Sequence, residues 1–262
     1  MNSQNLTTYR NPNIVNYYQF LIQLQPAEIV ILEKLRLQLP QFKMLDIGIG
    51  GGRTTTHFAP LVGEYCGIDY SPEMIATCKA KFTQKIPNFS LKVVDARDLS
   101  QFADNSFDFI LFSFNGIDYV EHSDRLKILS EVARVGKKNA YFAFSSHNLK
   151  AMIQEFSYQK HLSWNPFKTY INLFMWAVLR FVNFSSTTQQ LENSKYYLIR
   201  DESHNFRLQT YYIKPEAQIA QLAHIFRDIE LYSWQYGSEI MTMADSVIDS
   251  DLWLYYLCRV KK

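Results

Sequence analysis

From Phe42 onward, short apolar runs at 43–47, 65–69, 89–94, 107–114 and 139–145 are separated by segments in which apolar residues recur at helical spacing. Ser71-Pro72-Glu73 opens one such segment with a capping hydroxyl, a first-turn proline and an early acid, and Ile75, Cys78 and Phe82 follow on one side. Ser123 is read as the cap of another helix, with Leu126, Leu129 and Ala133 facing inward. This alternation predicts a doubly wound α/β fold: a mostly parallel, seven-stranded sheet with helices on both faces.

Both ends and one insertion depart from the alternation. The first forty residues read as a helical lid, 1–40, in which Pro26 starts a helix carrying Ile29, Leu32, Leu35 and Leu39, after an aromatic segment from Tyr9 to Phe20. A core follows over 41–147. Residues 148–213 are predicted to form an inserted cap after the fifth strand, with an apolar helix around 168–184 and a hairpin from 195–200 and 206–213; a dimerisation element is the alternative. The core resumes over 214–262, where Pro215 starts a helix with Ile219, Leu222, Ala223 and Phe226 on one face, ahead of strands at 229–235 and 252–260.

Composition narrows the class. Of 262 residues, 47% are hydrophobic and 15% aromatic, enough for a large core and too apolar for disorder. A net charge of +2 with dispersed Lys and Arg gives no basic face, so no nucleic-acid partner is expected. Cys66, Cys78 and Cys258 fit neither a disulfide framework nor a zinc spacing, which points to a reducing, cytoplasmic setting. No catalytic metal is expected. The stretch 170–184 is shorter than a membrane span and is interrupted by Arg180 and two asparagines.

The candidate chemistry begins at residues 44–54, MLDIGIGGGRT, where a strand ends in Asp46 and Gly48, Gly50 and Gly52 alternate before a helix. Such a turn lets a ligand approach the backbone and meet the N–H groups at the helix start. EYCGIDYSPEMI places Asp69 at the tip of the second strand, at the spacing of an acid that grips ribose hydroxyls. LKVVDARDL places Asp95 at the third tip, where a carboxylate suits an adenine amino group. Ligands of such sheets bind at the carboxyl ends of the strands, so the three tips converge on one crevice.

These three segments resemble the cofactor motifs of class I S-adenosylmethionine-dependent methyltransferases of the small-molecule type. The likeness is strong over residues 40–147 and loose over the terminal helix and strands. It implies a Rossmann-like fold, S-adenosyl-L-methionine as cofactor and S-adenosyl-L-homocysteine as product. It further implies that Asp46 orients the turn and the methionine amino group, that Gly48 and Gly50 give close backbone approach, and that Asp69 holds the ribose diol. Tyr70 and Met74 would pack on adenine, and Asp95 and Ala96 would read its edge. Arg53 either pairs with the methionine carboxylate or is a solvated helix-start residue.

In the resembled family the fourth strand passes beside the sulfonium. Here it ends in Ser113, Phe114, Asn115 and Gly116, making Asn115 and Asp118 candidates to touch the acceptor, with turn chemistry as the alternative. His147, at the end of the fifth strand, is the preferred proton acceptor because histidine titrates near neutrality; His122 and His204 are weaker choices. Tyr17, Tyr18, Trp176, His204, Arg207 and Tyr211 are candidate substrate contacts from the lid and cap. The run Leu173–Phe181 reads as core or, alternatively, as an apolar pocket wall, a self-association face or a membrane-surface contact. The expected reaction is in-line methyl transfer to an oxygen or nitrogen of a bulky or apolar metabolite, such as a natural-product intermediate. The absence of an Asn/Asp-Pro-Pro-Tyr pattern argues against nucleic-acid and amide targets. A homodimer is compatible with the insertion. Competing readings are an NAD(P)-dependent oxidoreductase, which leaves Asp95 unexplained, and a catalytically silent S-adenosylmethionine-binding protein.

Overall fold

The structure, a computed structural model, describes residues 22–82, 87–202 and 206–262. Helix α1 (Pro26–Leu35) starts where the ring of Pro26 costs no backbone hydrogen bond, and the N–H of Gln25 donates to Glu28 Oε2 at 2.7 Å. Its buried stripe is Ala27, Glu28, Ile31, Leu32 and Leu35, while Ile29 faces out. The expected Ile29–Leu39 face fails because the helix stops at Leu35 and Leu39 is buried from a separate 3₁₀ turn, Leu39–Gln41. Tyr9 to Phe20, including Tyr17 and Tyr18, and also His204, lie outside the described residues.

The central alternation follows the sequence closely: β1 (Lys43–Ile47), α2 (Arg53–Phe58), β2 (Glu64–Asp69), α3 (Pro72–Phe82), β3 (Phe89–Val93), β4 (Phe107–Phe112), α4 (His122–Val135) and β5 (Gly136–Asn148). The strands lie in the order β3-β2-β1-β4-β5, all parallel. One face buries Leu45, Ile47, Ile110, Phe112, Phe142 and Phe144 against α4. The other buries Met44, Phe109, Leu111 and Ala143 against α1 and α3. Two details of α4 differ from expectation. Glu121 occupies the cap position, so Ser123 lies within the first turn, and the inward residues are Ile128, Leu129, Val132 and Val135, with Leu126 exposed.

After β5 come α5 (Leu149–Glu155), α6 (Pro166–Val182), α7 (Thr188–Asn193), β6 (Tyr196–Arg200) and β7 (Gln209–Ile213). The last two form the expected hairpin, but it does not stand apart as a cap: β7 pairs in parallel with the end of β5, Tyr212 opposite His147 and Ile213 opposite Asn148. Helix α8 (Pro215–Leu222), β8 (Phe226–Ser233), α9 (Ser246–Ser250) and β9 (Trp253–Val260) complete the chain, with β9 antiparallel to both β5 and β8. Phe226 begins β8 and is not part of the helical face assigned to it. The sheet therefore holds nine strands among the described residues, two more than expected, because the hairpin of the insertion is annexed to it.

Gly52 shows why the turn after β1 is rich in glycine. It sits at φ +84°, and a Cβ there would lie 2.5 Å from the ring of Phe82 on α3. Replacing Gly52 by Ala is expected to lower the free energy of unfolding by about 1–3 kcal/mol. Urea denaturation reads this directly, and an unchanged midpoint would contradict the packing described.

Candidate active site

The carboxyl ends of β1, β2, β3 and β4 open into one cleft. Asp46, Gly48, Gly50, Arg53, Asp69, Tyr70, Met74, Asp95, Ala96 and Ser113 line it, ten of the eleven expected cofactor contacts. The exception is Gly52, which is turned beneath the loop against Cys78 and Phe82. Thr54, Val94, Phe112, Phe114, Tyr119, Val120 and Ile128 are also in its wall.

The turn is tied to its neighbour strand by its own backbone. Gly48 N–H donates to the carbonyl of Ile68 at 2.7 Å, and Gly50 N–H to Asp69 Oδ2 at 3.0 Å. Gly48 has φ +68°, and a Cβ there would press on the Phe112 ring at 3.1 Å. Asp69 also accepts from the N–H of Ser71 at 2.9 Å, which fixes the carboxylate at the strand tip. Burial nevertheless pushes its pKa up to about 6, these backbone donors offsetting only part of the cost.

Asp46 is buried and accepts from Thr54 Oγ1 and Tyr65 OH, both at 2.6 Å on Oδ2. Burial pushes it up to about 7, against those two donors and the attraction of Arg53. Asp95 is different. Burial raises it, but Arg97 donates from Nε at 3.0 Å and from Nη2 at 2.7 Å, and the balance holds it below the ordinary carboxylate value. Arg97 also bridges to Asp124 on α4 at 2.7 Å.

Arg53 is buried at the cleft wall, not solvated. It forms a bidentate ion pair with Glu28 of α1, with Nη2 to Oε1 at 2.7 Å, and lies over the Phe114 ring at 5.1 Å. Ser113 Oγ donates to the same carboxylate, and Tyr255 OH reaches it at 3.1 Å. Glu28 is the residue that sequence reasoning missed here; its only signal was an acid in a first helical turn, which reads as ordinary capping.

The three candidate acceptor contacts meet, but behind the wall. Asp118 Oδ2 accepts from the backbone N–H of His147 at 2.6 Å and pairs with Nδ1 at 2.9 Å, while Oδ1 accepts from Ser146 Oγ at 3.0 Å and from Arg125. Asn115 Nδ2 stands 3.3 Å from His147 Nε2. Asn115, Asp118 and His147 are all buried and none lines the cleft; Tyr119 does, and its ring lies edge-on to the imidazole at 6.2 Å. Asp118 is thus a support for His147 and Arg125, not a contact for the acceptor.

The expected cap contacts are elsewhere. Tyr211 is buried, stacked on Tyr196, with its hydroxyl 2.8 Å from His122 Nδ1. Trp176 donates to the carbonyl of Phe156 at 3.0 Å, and Arg207 is exposed; none of the three lines the cleft. Among the described residues no three or more His, Cys, Asp and Glu side chains gather as a metal site.

Residues 44–139 match the family model described as a methyltransferase domain. A protein of Bacillus subtilis (strain 168), "Uncharacterized methyltransferase YcgJ", is 33% identical over 108 residues; the match spans 41% of this chain and 41% of that protein. Among solved structures, an S-adenosylmethionine-dependent methyltransferase of Mesorhizobium loti superposes with a TM-score of 0.60 at 14% identity, covering 89% of this chain and 97% of the other. The 1,6-didemethyltoxoflavin-N1-methyltransferase of Burkholderia thailandensis gives 0.59 at 13% identity, covering 99% and 87%. At such identities the superpositions establish the fold.

The buried acid of β1 generates a prediction. Folding raises the Asp46 pKa from 3.8 to about 7, so its carboxyl favours the folded state most below 3.8 and loses that advantage as pH rises through about 7. Asp46→Asn keeps an oxygen for Thr54 and Tyr65 and carries no charge. Thermal denaturation should find this variant more stable than wild type above pH 7, with the gap closing below pH 3.8. A variant less stable at every pH would contradict the burial argument. Over residues 44–139 the chain is similar to the methyltransferase-domain family.

Proposed function

We propose that this chain transfers a methyl group from S-adenosylmethionine to an oxygen or nitrogen of a small, apolar acceptor, releasing S-adenosylhomocysteine. The observation that carries the reading is the cleft itself: acids at the tips of three adjacent parallel strands, a glycine turn, and apolar side chains between them. The residues present suit the cofactor's parts. Asp46 offers a carboxylate for an ammonium group, Asp69 for a ribose diol, and Asp95 with Ala96 for an adenine edge between Met74, Val94 and Ile128. Because Arg53 is already paired with Glu28, its role is to shape the methionine end of the cleft rather than to clamp a carboxylate.

When bound, S-adenosylmethionine supplies a methyl carbon that a lone pair attacks in line with the departing sulfur. The protein's work is then to orient the acceptor and exclude water. Phe112, Phe114, Tyr119 and Val120 make the wall at the end of β4 apolar, which favours an acceptor with an aromatic or aliphatic body, such as a natural-product intermediate. For a hydroxyl acceptor His147 takes the proton. Asp118 stands 2.9 Å from Nδ1, which leaves Nε2, facing Asn115 Nδ2, as the nitrogen to take it, with the ring of Tyr119 between the imidazole and the cleft.

Methyl-labelled S-adenosylmethionine offered with a panel of phenols, carboxylic acids and amines tests this reading. Turnover is expected on apolar phenols or acids, and turnover confined to small hydrophilic amines would contradict it. With a phenolic acceptor, His147→Gln should lower kcat by about 100-fold with KM little changed. An unaltered kcat would remove His147 from the chemistry.

A further inference from the structure

Helix α6 is built inside out. Its outward stripe, Phe167, Tyr170, Ile171, Phe174, Ala177 and Phe181, recurs every three to four residues and contains no polar group except one phenol. Phe181 is 80% exposed, and Trp164, just ahead of the helix, is fully exposed at 105%. The polar groups point the other way. Asn172 donates to the carbonyl of His161 at 3.4 Å, Trp176 Nε1 to that of Phe156, and Asn183, at the end of the helix, to that of Arg200 at 2.8 Å. These bonds fix the orientation, so the apolar stripe cannot rotate inward without breaking them and leaving partly buried donors unpaired.

An apolar face of this kind on a soluble fold marks a contact surface, and its charges identify the partner. From Phe156 to Leu191 the sequence has no acid, while Lys160, Lys168 and Arg180 are basic. Glu155 pairs with Lys160 at 2.5 Å, leaving Lys168 and Arg180 as the helix's positive charges. Beyond its end, a surface hollow beside the exposed Phe184 is lined by Lys195, Tyr196, Leu198 and Arg200. Two copies meeting through this face would bring like charges together, whereas an anionic bilayer turns the same charges into attraction. The exposed Tyr158, Trp164 and Tyr170 are the residue types that settle at a membrane–water interface.

We propose that α6, Trp164 and the adjoining basic hollow dock the protein on an anionic phospholipid surface. The helix lies flat: seventeen residues span about 25 Å, and Leu179 is buried against the insertion. Among the described residues no helix is long and apolar enough to cross a membrane. This inference concerns the insertion alone and does not rest on methyl transfer.

Co-sedimentation of the full chain with phosphatidylcholine vesicles, with and without phosphatidylglycerol, tests it. Binding is expected only to the mixed vesicles, with a blue shift of Trp164 emission that Trp164→Ser removes. The triple change Phe167→Ser, Phe174→Ser, Phe181→Ser should weaken binding more than about tenfold. Lys168→Glu with Lys195→Glu should weaken it by about fivefold or more per charge. Because every altered side chain is exposed, the variants should keep the wild-type melting temperature and affinity for S-adenosylhomocysteine. Failure of wild type to bind either vesicle would overturn the proposal, as would binding indifferent to the triple change. A lipid-free dimer in analytical ultracentrifugation that the triple change converts to monomer would also overturn it, assigning the face to a second copy.

Discussion

The cleft depends on one buried carboxylate that does not belong to the sheet. Glu28 comes from α1, and it holds Arg53 at the start of α2, Ser113 at the end of β4 and Tyr255 on β9. Four separated parts of the sequence are thereby fixed around one end of the cleft. A buried ion pair contributes little net stability when intact, but loss of one partner strands the other charge at a cost of about 3–5 kcal/mol. The network therefore acts mainly on geometry: it sets where the glycine turn and the end of β4 stand relative to each other.

The acids of the cleft occupy three distinct electrostatic environments. Asp46 and Asp69 are pushed upward by burial, to about 7 and about 6, while Asp95 is held low by Arg97. The first two cost the folded protein stability near neutral pH, a cost that a cationic or hydrogen-bond-donating ligand would offset. Asp95 is pre-ionised and needs no such compensation.

The parallel core was legible because its signals are local and agree with one another. The first three strands are apolar runs with Asp46, Asp69 and Asp95 at or just beyond their ends, and Ser71-Pro72-Glu73 marks a helix start directly. Glu28 was not legible, since an acid in a first helical turn looks the same whether it caps the helix or reaches Arg53 across the fold. Asn115, Asp118 and His147 were each legible as polar residues at strand ends, but sequence does not reveal that they bond to one another behind Tyr119. The insertion misled for a physical reason: apolar periodicity gives a stripe, not the direction it faces. In α6 the hydrogen bonds of Asn172, Trp176 and Asn183 decide that direction.

The central claim is that the three strand-end acids form an S-adenosylmethionine site. Calorimetric titration of wild type and Asp69→Ala with S-adenosylmethionine, S-adenosylhomocysteine and NADH tests it most directly. The account predicts binding of both sulfur ligands to wild type, loss of that binding in the variant, and no heat from NADH. Binding of NADH alone would contradict it and reassign the cleft to redox chemistry.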